Sequence, residues 1–279
     1  MAASIRLGGR RRAASVLFGL IGFAMATIAT PAGAVIDPTH QFVVNGDFEN
    51  LTNGLGQLTR NTTAVGWTSA MSGSDYGFTY AFNAASASTT GSPGEVQERL
   101  WGPGNGANNG LAASPTGGNF IGSDGAYHIS RLSQAITGLI VGETYTLSFN
   151  FAGAQEYGTD GAQTEGWKYG FTSQGANPLQ QTANLSNVSH GFTGWYSQTY
   201  NFVATSTSDT LYFLAKGTPS GQPPMSLLDS VSLVGAYGTV SAAPDPATWM
   251  MMLAGFGIIG VSLRRRPRVA TGAVAPAIA

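Results

Sequence analysis

The sequence contains no cysteine, which excludes disulfide bonds, thiol nucleophiles and cysteine-ligated zinc. Charge is also scarce, because Asp, Glu, Lys and Arg together make up only 10% of the 279 residues. The three histidines, His40, His128 and His190, are far apart, and none forms an H-x-x-x-H pair of the kind that binds zinc. Composition therefore excludes thiol catalysis and the common zinc motifs.

The few basic residues are concentrated at the two ends of the chain. Eight of the 13 lie within residues 1–12 or 264–279. Residues 35–240 contain five basic and 13 acidic residues, which gives this region a net charge of −8. Because an acidic surface repels a phosphate backbone, we do not expect nucleic-acid binding. An acidic domain remains compatible with cations and with neutral sugars.

Residues 1–34 have the layout of a secretory signal peptide. Four arginines within residues 1–12 precede the apolar stretch AASVLFGLIGFAMATIAT, which ends at Pro31. Ala32 and Ala34 then match the small-x-small site of signal peptidase, with cleavage expected after Ala34. The sequence therefore predicts export. The alternative is that the same stretch remains as an N-terminal membrane anchor.

The C-terminal segment combines a short apolar run with arginines. Residues 249–263 are uncharged and would span about 22 Å as a helix, less than the ~30 Å of a bilayer core. The arginines that follow would stay cytoplasmic, with the upstream domain outside. The run contains G-x-G-x-x-G at 255–260, but no acidic residue follows, so a dinucleotide site is not expected.

This segment resembles the PEP-CTERM sorting segment of exported proteins in Gram-negative bacteria that form exopolysaccharide biofilms. The resemblance covers 244–268 and differs from the family pattern at Asp245, usually Glu, and Met250, usually Ala. It implies recognition and cleavage by a membrane protease-transpeptidase, an exosortase. A plain C-terminal membrane anchor is the alternative. The residues that carry the resemblance are Pro244, Asp245, Pro246, Trp249, Arg264, Arg265 and Arg266.

Residues 35–235 are predicted to form an antiparallel β-sandwich. In ETYTLSFNF (143–151), large apolar side chains alternate with polar ones, which is the pattern of a half-buried strand. YGFTYAF (76–82) and GWKYGF (166–171) alternate in the same way, and turn-forming residues separate the candidates. No helical periodicity is sustained, so we expect an all-β fold.

Two loops rich in Gly and Asn, near 91–118 and 154–166, account for the length beyond a minimal sandwich. After the sandwich, residues 236–243 are expected to be a linker. Residues 269–279 are expected to be a disordered tail.

The sandwich region resembles the galactose-binding-like jelly roll, the fold of many non-catalytic carbohydrate-binding modules. The resemblance rests on VVNGDFE (43–49), GW (66–67), LSQAITGLIVGETYTLSFNFAG (132–153) and LLDSVSLVG (227–235). It implies that the first and last strands are neighbours, with a structural Ca²⁺ near their junction. Asp47, Glu49 and Asp229 could supply the oxygen ligands that Ca²⁺ prefers. Alternatively, residues 45–47 form only a turn and Asp229 ends a strand.

Binding is expected rather than catalysis, because G-x-S-x-G and H-E-x-x-H are absent and no two acids are marked as a catalytic pair. Sugar binding requires exposed aromatic rings together with polar side chains. Trp67 and Trp167 are expected in the core. The candidates for contact with sugar lie in the two long loops and are Trp101, Tyr157, Asp160 and Gln163.

We therefore expect an exported, non-catalytic protein of the cell surface or extracellular matrix that binds polysaccharide. One alternative is a structural or adhesive surface protein that binds no glycan. The other is a glycan-processing hydrolase with two carboxyl groups in a cleft.

Overall fold

A computed structural model describes residues 37–70, 77–174, 180–238, 250–257 and 259. The described residues of 37–238 form two antiparallel sheets with two short 3₁₀ turns, Pro103–Asn105 and Thr172–Gln174, and no α-helix. The prediction of a mostly β chain with two antiparallel sheets is confirmed. The signal peptide, its cleavage site, the proline motif and the arginines of the tail lie outside the described residues.

Residues 250–257, within the apolar C-terminal run, form a helix with exposed apolar side chains. Among the described residues, no helix has the length and apolar character needed to cross a membrane.

The described strands alternate in sequence with turns. They are β1 (Asp37–Gln41), β2 (Gly56–Gln57), β3 (Thr68–Ala70), β4 (Thr79–Asn83), β5 (Asn119–Asp124), β6 (Arg131–Thr137), β7 (Thr144–Gln155), β8 (Gln163–Phe171), β9 (Gln180–Gln181), β10 (Leu185–Asn187), β11 (Tyr196–Val203), β12 (Ser208–Thr218) and β13 (Pro224–Tyr237).

The first sheet has the order β11-β7-β13-β5-β4-β2, with β1 beside β13, and the second has the order β10-β8-β12-β6-β3, with β9 beside β8. β13 is central to the first sheet, because it pairs with β1, β5 and β7. The first and last strands are thus neighbours, as expected. A bulge interrupts β13 between Asp229 and Ser232, where Ser230 takes a positive φ of 55°.

The main core lies between the two sheets and is rich in aromatic rings. Phe149 of β7 meets Phe213 of β12 edge to face, with ring centroids 5.0 Å apart. Trp167 is fully buried and its indole N–H donates to the carbonyl of Leu227 at 2.9 Å. Trp67 is also buried and donates to the carbonyl of Asn45 at 3.0 Å. The expectation that both tryptophans belong to the core is confirmed.

A second core lies on the outer face of the first sheet. Its members come from β4, β5, β13, the end of β7 and the segment 84–118; they are Tyr80, Phe82, Ala87, Leu100, Leu111, Phe120, Ala152, Ala154, Met225 and Leu227. Neighbouring residues of the same strands, such as Ile121 and Leu228, face the main core. These strand segments are therefore apolar on both faces and need a cover on each side.

The segment 84–118 provides that cover, so the predicted loop near 91–118 contributes buried apolar side chains to a core. Ala87, Leu100 and Leu111 contribute to the second core but are widely spaced among Gly, Asn and Ser. Because they follow neither a period of 2 nor one of 3.6, the sequence pattern gives no sign of their burial.

Replacing Leu100 with alanine tests this packing. Leu100 is fully buried in the second core, so Leu100→Ala should lower the free energy of unfolding by about 2–5 kcal/mol. Val96 lies in the same segment but is 46% exposed, so Val96→Ala should change it by less than about 0.5 kcal/mol. Chemical denaturation of the two variants measures the difference. Equal effects would show that the segment does not pack as a core.

Candidate functional site

A surface patch forms where the covering segment meets the turn after β7. The N–H of Trp101 donates to the carbonyl of Gln155 at 2.9 Å, and the N–H of Tyr157 donates to the carbonyl of Arg99 at 2.8 Å. Leu100 bridges to Glu156 in antiparallel fashion between these two bonds. Residues 99–101 therefore run as a short strand beside 155–157, which fixes the backbone of both segments.

Three rings meet at this junction. The indole of Trp101 stacks on the imidazole of His190, with centroids 3.8 Å apart and planes inclined by 23°. Tyr157 packs against the same indole at 4.6 Å, and the guanidinium of Arg99 lies 4.1 Å from the centre of the Tyr157 ring. The Trp101 N–H donates to the carbonyl of Thr159 at 2.9 Å. Trp101 and Tyr157 are both half-buried, so part of each ring faces solvent.

A carboxylate completes the patch. Asp160 Oδ1 lies 2.6 Å from His190 Nε2, within ion-pair distance when the imidazole is protonated. The backbone N–H of His190 donates to the side chain of Gln155 at 2.5 Å, which holds the histidine from the other side. The side chain of Asp160 is 82% exposed and remains accessible to a ligand. We name Arg99, Trp101, Tyr157, Asp160 and His190 the Trp101 patch.

The structure brings together three of the four residues that the sequence proposed for sugar contact, namely Trp101, Tyr157 and Asp160. Gln163 is not part of the patch. It is buried, and its amide donates to the carbonyls of Gln222 at 2.9 Å and Pro223 at 3.3 Å. Its amide therefore supports the turn between β12 and β13.

Sequence reasoning missed Arg99 and His190. His190 is distant from Trp101 in the chain, so no local pattern could pair them. Arg99 lies two residues before Trp101 in sequence, but its contact with the ring of Tyr157 forms only in the folded structure.

Two of the three residues proposed for calcium lie against one segment. Asp229 is fully buried, and its Oδ2 accepts hydrogen bonds from the hydroxyl groups of Ser114 and of Thr116, the latter at 3.1 Å. Glu49 Oε1 accepts the backbone N–H of Asn119 at 2.5 Å. Burial, with a contribution from the charge of Glu49, raises the pKa of Asp229 to about 6.

Asp47 is exposed, and the hydrogen bonds that tie Glu49 and Asp229 to this segment do not include it. No group of three or more acidic or histidine side chains that could hold a metal ion is found in the described ranges. A calcium ion at Glu49 and Asp229 would therefore need hydroxyl or carbonyl oxygens to complete its shell. The hydroxyls of Ser114 and Thr116 fit that requirement.

Other carboxyl groups are buried in the covering segment or interact with it electrostatically. Glu98 and Asp124 are almost fully buried, and Glu156 is half-buried. Burial, reinforced by the charge of Glu156, raises the pKa of Glu98 well above its usual value. Burial and the charge of Asp124 raise the pKa of Glu156 to about 7. Burial therefore favours the protonated, uncharged form of these acids relative to carboxyl groups in water.

Glu165 is buried between the sheets, although the sequence places it in a polar loop. Strand β8 begins at Gln163, which turns the Glu165 side chain inward together with Trp167. Burial raises the pKa of Glu165 to about 8, and a weak hydrogen bond of 3.4 Å from Asn187 opposes the shift. The second loop is thus shorter than expected, spanning 156–162.

Comparison with known proteins finds similar structures but no matching family or curated sequence. A family 61 carbohydrate-binding module in complex with β-1,4-galactotriose is 14% identical, covers 71% of this chain and 99% of its own, and has a TM-score of 0.38.

Two further structures match over a similar span. The K3 cleaved adhesin domain of Lys-gingipain from Porphyromonas gingivalis is 12% identical, covers 72% of this chain and 99% of its own, and has a TM-score of 0.40. A family 28 carbohydrate-binding module specific for non-crystalline cellulose is 16% identical, covers 71% of this chain and 97% of its own, and has a TM-score of 0.34. With values this low, the functional argument rests on the residues of the chain itself.

The raised pKa values of Glu156 and Glu165 predict that the free energy of unfolding falls as pH rises. Glu156 and Glu165 hold their protons more tightly in the folded state, with pKa values of about 7 and 8 against an ordinary value of 4.5. Their contribution is therefore complete below about pH 4.5 and is lost as pH rises through 7 to 8. Thermal melts across this range should show a falling melting temperature.

Glu165→Gln keeps the shape of the side chain without its charge, so the melting temperature of this variant should fall less as pH rises. Glu143 is exposed, and Glu143→Gln should leave the pH dependence unchanged. A melting temperature that rises between pH 5 and pH 8 would contradict the assignment.

Proposed function

We propose that this chain is an exported, non-catalytic protein of the surface or extracellular matrix of a Gram-negative bacterium, and that it binds polysaccharide through the Trp101 patch. The observation that carries the proposal is the half-exposed pair of rings, Trp101 and Tyr157, held beside the exposed carboxylate of Asp160. The apolar face of a sugar stacks on such rings, while its hydroxyl groups bond to carboxylate and guanidinium groups.

The patch is held in place before any ligand arrives, which supports a binding role. Trp101 is fixed by its backbone bond to Gln155, its indole bond to Thr159 and its stack on His190. Because these contacts already restrict the ring, a ligand would lose little affinity to ordering the side chain.

The position of the carboxyl groups favours binding over hydrolysis. A glycosidase needs two carboxyl groups in contact with the sugar. Glu98, Asp124 and Glu165 are buried within the protein, where a polysaccharide cannot reach them. The alternative of a structural or adhesive protein without glycan binding is left to experiment.

The galactose-binding-like jelly roll remains our interpretation of the fold. It is supported by the pairing of β1 with β13 and by the motif residues 43–49 and 227–235 at that junction. We include a structural Ca²⁺ in the proposal, held by Glu49 and Asp229 with help from Ser114 and Thr116.

Thermal melts with millimolar Ca²⁺ and with a chelator test whether the protein binds this ion. Bound Ca²⁺ should raise the melting temperature, and Asp229→Asn should remove the rise. No rise in the unmodified protein would exclude the ion.

The export and sorting of the chain are proposed from its ends. Signal peptidase would remove residues 1–34, and an exosortase-type protease would recognise the motif at 244–246. The order of proline motif, Trp249, short apolar run and arginines supports this.

Replacing Trp101 tests glycan binding. Trp101→Ala and Asp160→Asn in the full chain should each weaken retention on immobilised neutral polysaccharides, such as galactan, xylan or soluble cellulose, by about tenfold or more. Asp160 is largely exposed, so its variant should fold normally. Trp195 is also half-buried and lies outside the patch, and Trp195→Ala serves as the control. Equal retention of all variants, or no retention of the unmodified protein, would favour the structural alternative.

Mass spectrometry of the protein from the producing organism tests export and sorting. We expect a mature form that begins at Val35, ends near 244–246 and lacks the arginines, recovered from the medium or cell surface. A chain that keeps Met1 would point to an N-terminal anchor. An intact C-terminus in the membrane fraction would point to an anchored protein and would implicate Asp245 and Met250 in the failure of processing.

A further inference from the structure

The outer face of the second sheet carries three of the five basic residues found in 35–240: Arg131, Lys168 and Lys216. Leu214 of β12 pairs in register with Arg131 of β6 on one side and with Lys168 of β8 on the other. Residues paired directly across strands point to the same face. Lys216 lies two residues beyond Leu214 on β12, so it shares that face as well. We name these three residues the basic row.

No member of the basic row forms an ion pair with a carboxylate among the residues that the structure describes. The ammonium of Lys216 donates to neutral oxygens, namely Gln181 Oε1 at 3.1 Å, the carbonyl of Thr182 at 3.0 Å and Asn184 Oδ1 at 2.6 Å. Burial, followed by the charge of Lys168, lowers the pKa of Lys216. The two lysines therefore repel each other, although the domain carries 13 acidic residues.

The face has a depression in which a ligand could lie. An open cavity of about 240 Å³ is lined by the two lysines and by hydroxyl and amide side chains: Thr164, Lys168, Gln181, Asn184, Lys216 and Thr218. At the other end of the row, the guanidinium of exposed Arg131 lies 4.7 Å from the centre of the Tyr212 ring. The surface thus offers cations, an aromatic ring and neutral hydrogen-bonding groups together.

We infer that this face binds the carboxylate groups of an acidic polysaccharide. Arg131 and Lys168 lie on strands two positions apart, so their Cα atoms are about 10 Å from each other. The cations are thus spread across three neighbouring strands, which suits a chain with a carboxylate on successive sugars better than a single small anion. The threonine, glutamine and asparagine side chains suit the sugar hydroxyl groups. Phosphate polymers and anionic membranes fit less well, because they offer few hydroxyl groups to the neutral hydroxyl and amide side chains that line the depression.

The inference is separate from the Trp101 patch, because the two sites use different residues. The patch is built from 99–101, 155–160 and His190, whereas the basic row lies on β6, β8 and β12. Neutral glycans should depend on the first site and acidic glycans on the second, so either proposal can fail while the other holds.

Titration calorimetry of the full chain with polygalacturonate tests the basic row, with fully methyl-esterified polygalacturonate as the uncharged control. We expect binding to the acid form that weakens with added salt and is at least tenfold weaker for the ester. Lys168→Gln with Lys216→Gln, and Arg131→Gln separately, should each weaken binding to the acid form by about tenfold. Neither the lysine double variant nor Arg131→Gln should change the binding of neutral glycans to the Trp101 patch.

Arg60→Gln is the matched control, because it removes the same charge from the turn after β2 and should leave the affinity unchanged. Equal affinity for acid and ester, or full affinity in the Lys168 and Lys216 double variant, would overturn the inference. Equal affinity for double-stranded DNA or for anionic phospholipid vesicles would also overturn it, since the face would then be a non-specific basic surface. Loss of acid binding in Trp101→Ala alone would place both ligands at the patch.

Discussion

The packing of segment 84–118 on the first sheet is the interaction on which the candidate site depends. The ends of β7 and β13, with β4 and β5 beside them, are apolar on both faces, so one sheet of a simple sandwich would leave Phe82, Phe120 and Leu227 in water. Leu100 and Leu111 remove that surface from solvent. In doing so they bring residues 99–101 beside 155–157, and Trp101 takes its place as a consequence. The Trp101 patch therefore lies on the surface at the edge of the second core.

The distribution of charge is unusual in that several acids are inside and most of the described bases are outside. Glu98, Asp124, Glu165 and Asp229 are buried, although glutamate and aspartate are seldom buried without a partner. Burial raises the pKa of each, so they carry less negative charge at neutral pH than the composition suggests. The surface is accordingly less acidic than the sequence implies, and the outer face of the second sheet is locally basic.

The sequence predicts the parts of this fold that depend on local pattern. The alternation in 143–151 predicts β7, and Trp67 and Trp167 are correctly placed in the core. Features that depend on pairing between distant strands are not predictable in this way. His190 reaches Trp101 only through the tertiary fold, and Gln163 turns inward because of where β8 begins. The basic row is visible only once the register of β6, β8 and β12 is known, since its members are scattered in sequence.

The central position of the last strand sets the order in which this domain can be completed. β13 joins β1, β5 and β7, so the first sheet cannot close until residues 224–237 are present. Strand pairings between residues so far apart in the chain form slowly, because a long loop must close before they are gained. A nascent chain that lacks this strand has two unjoined halves of the first sheet. Completion of the first sheet is thereby postponed until synthesis of the domain is nearly finished.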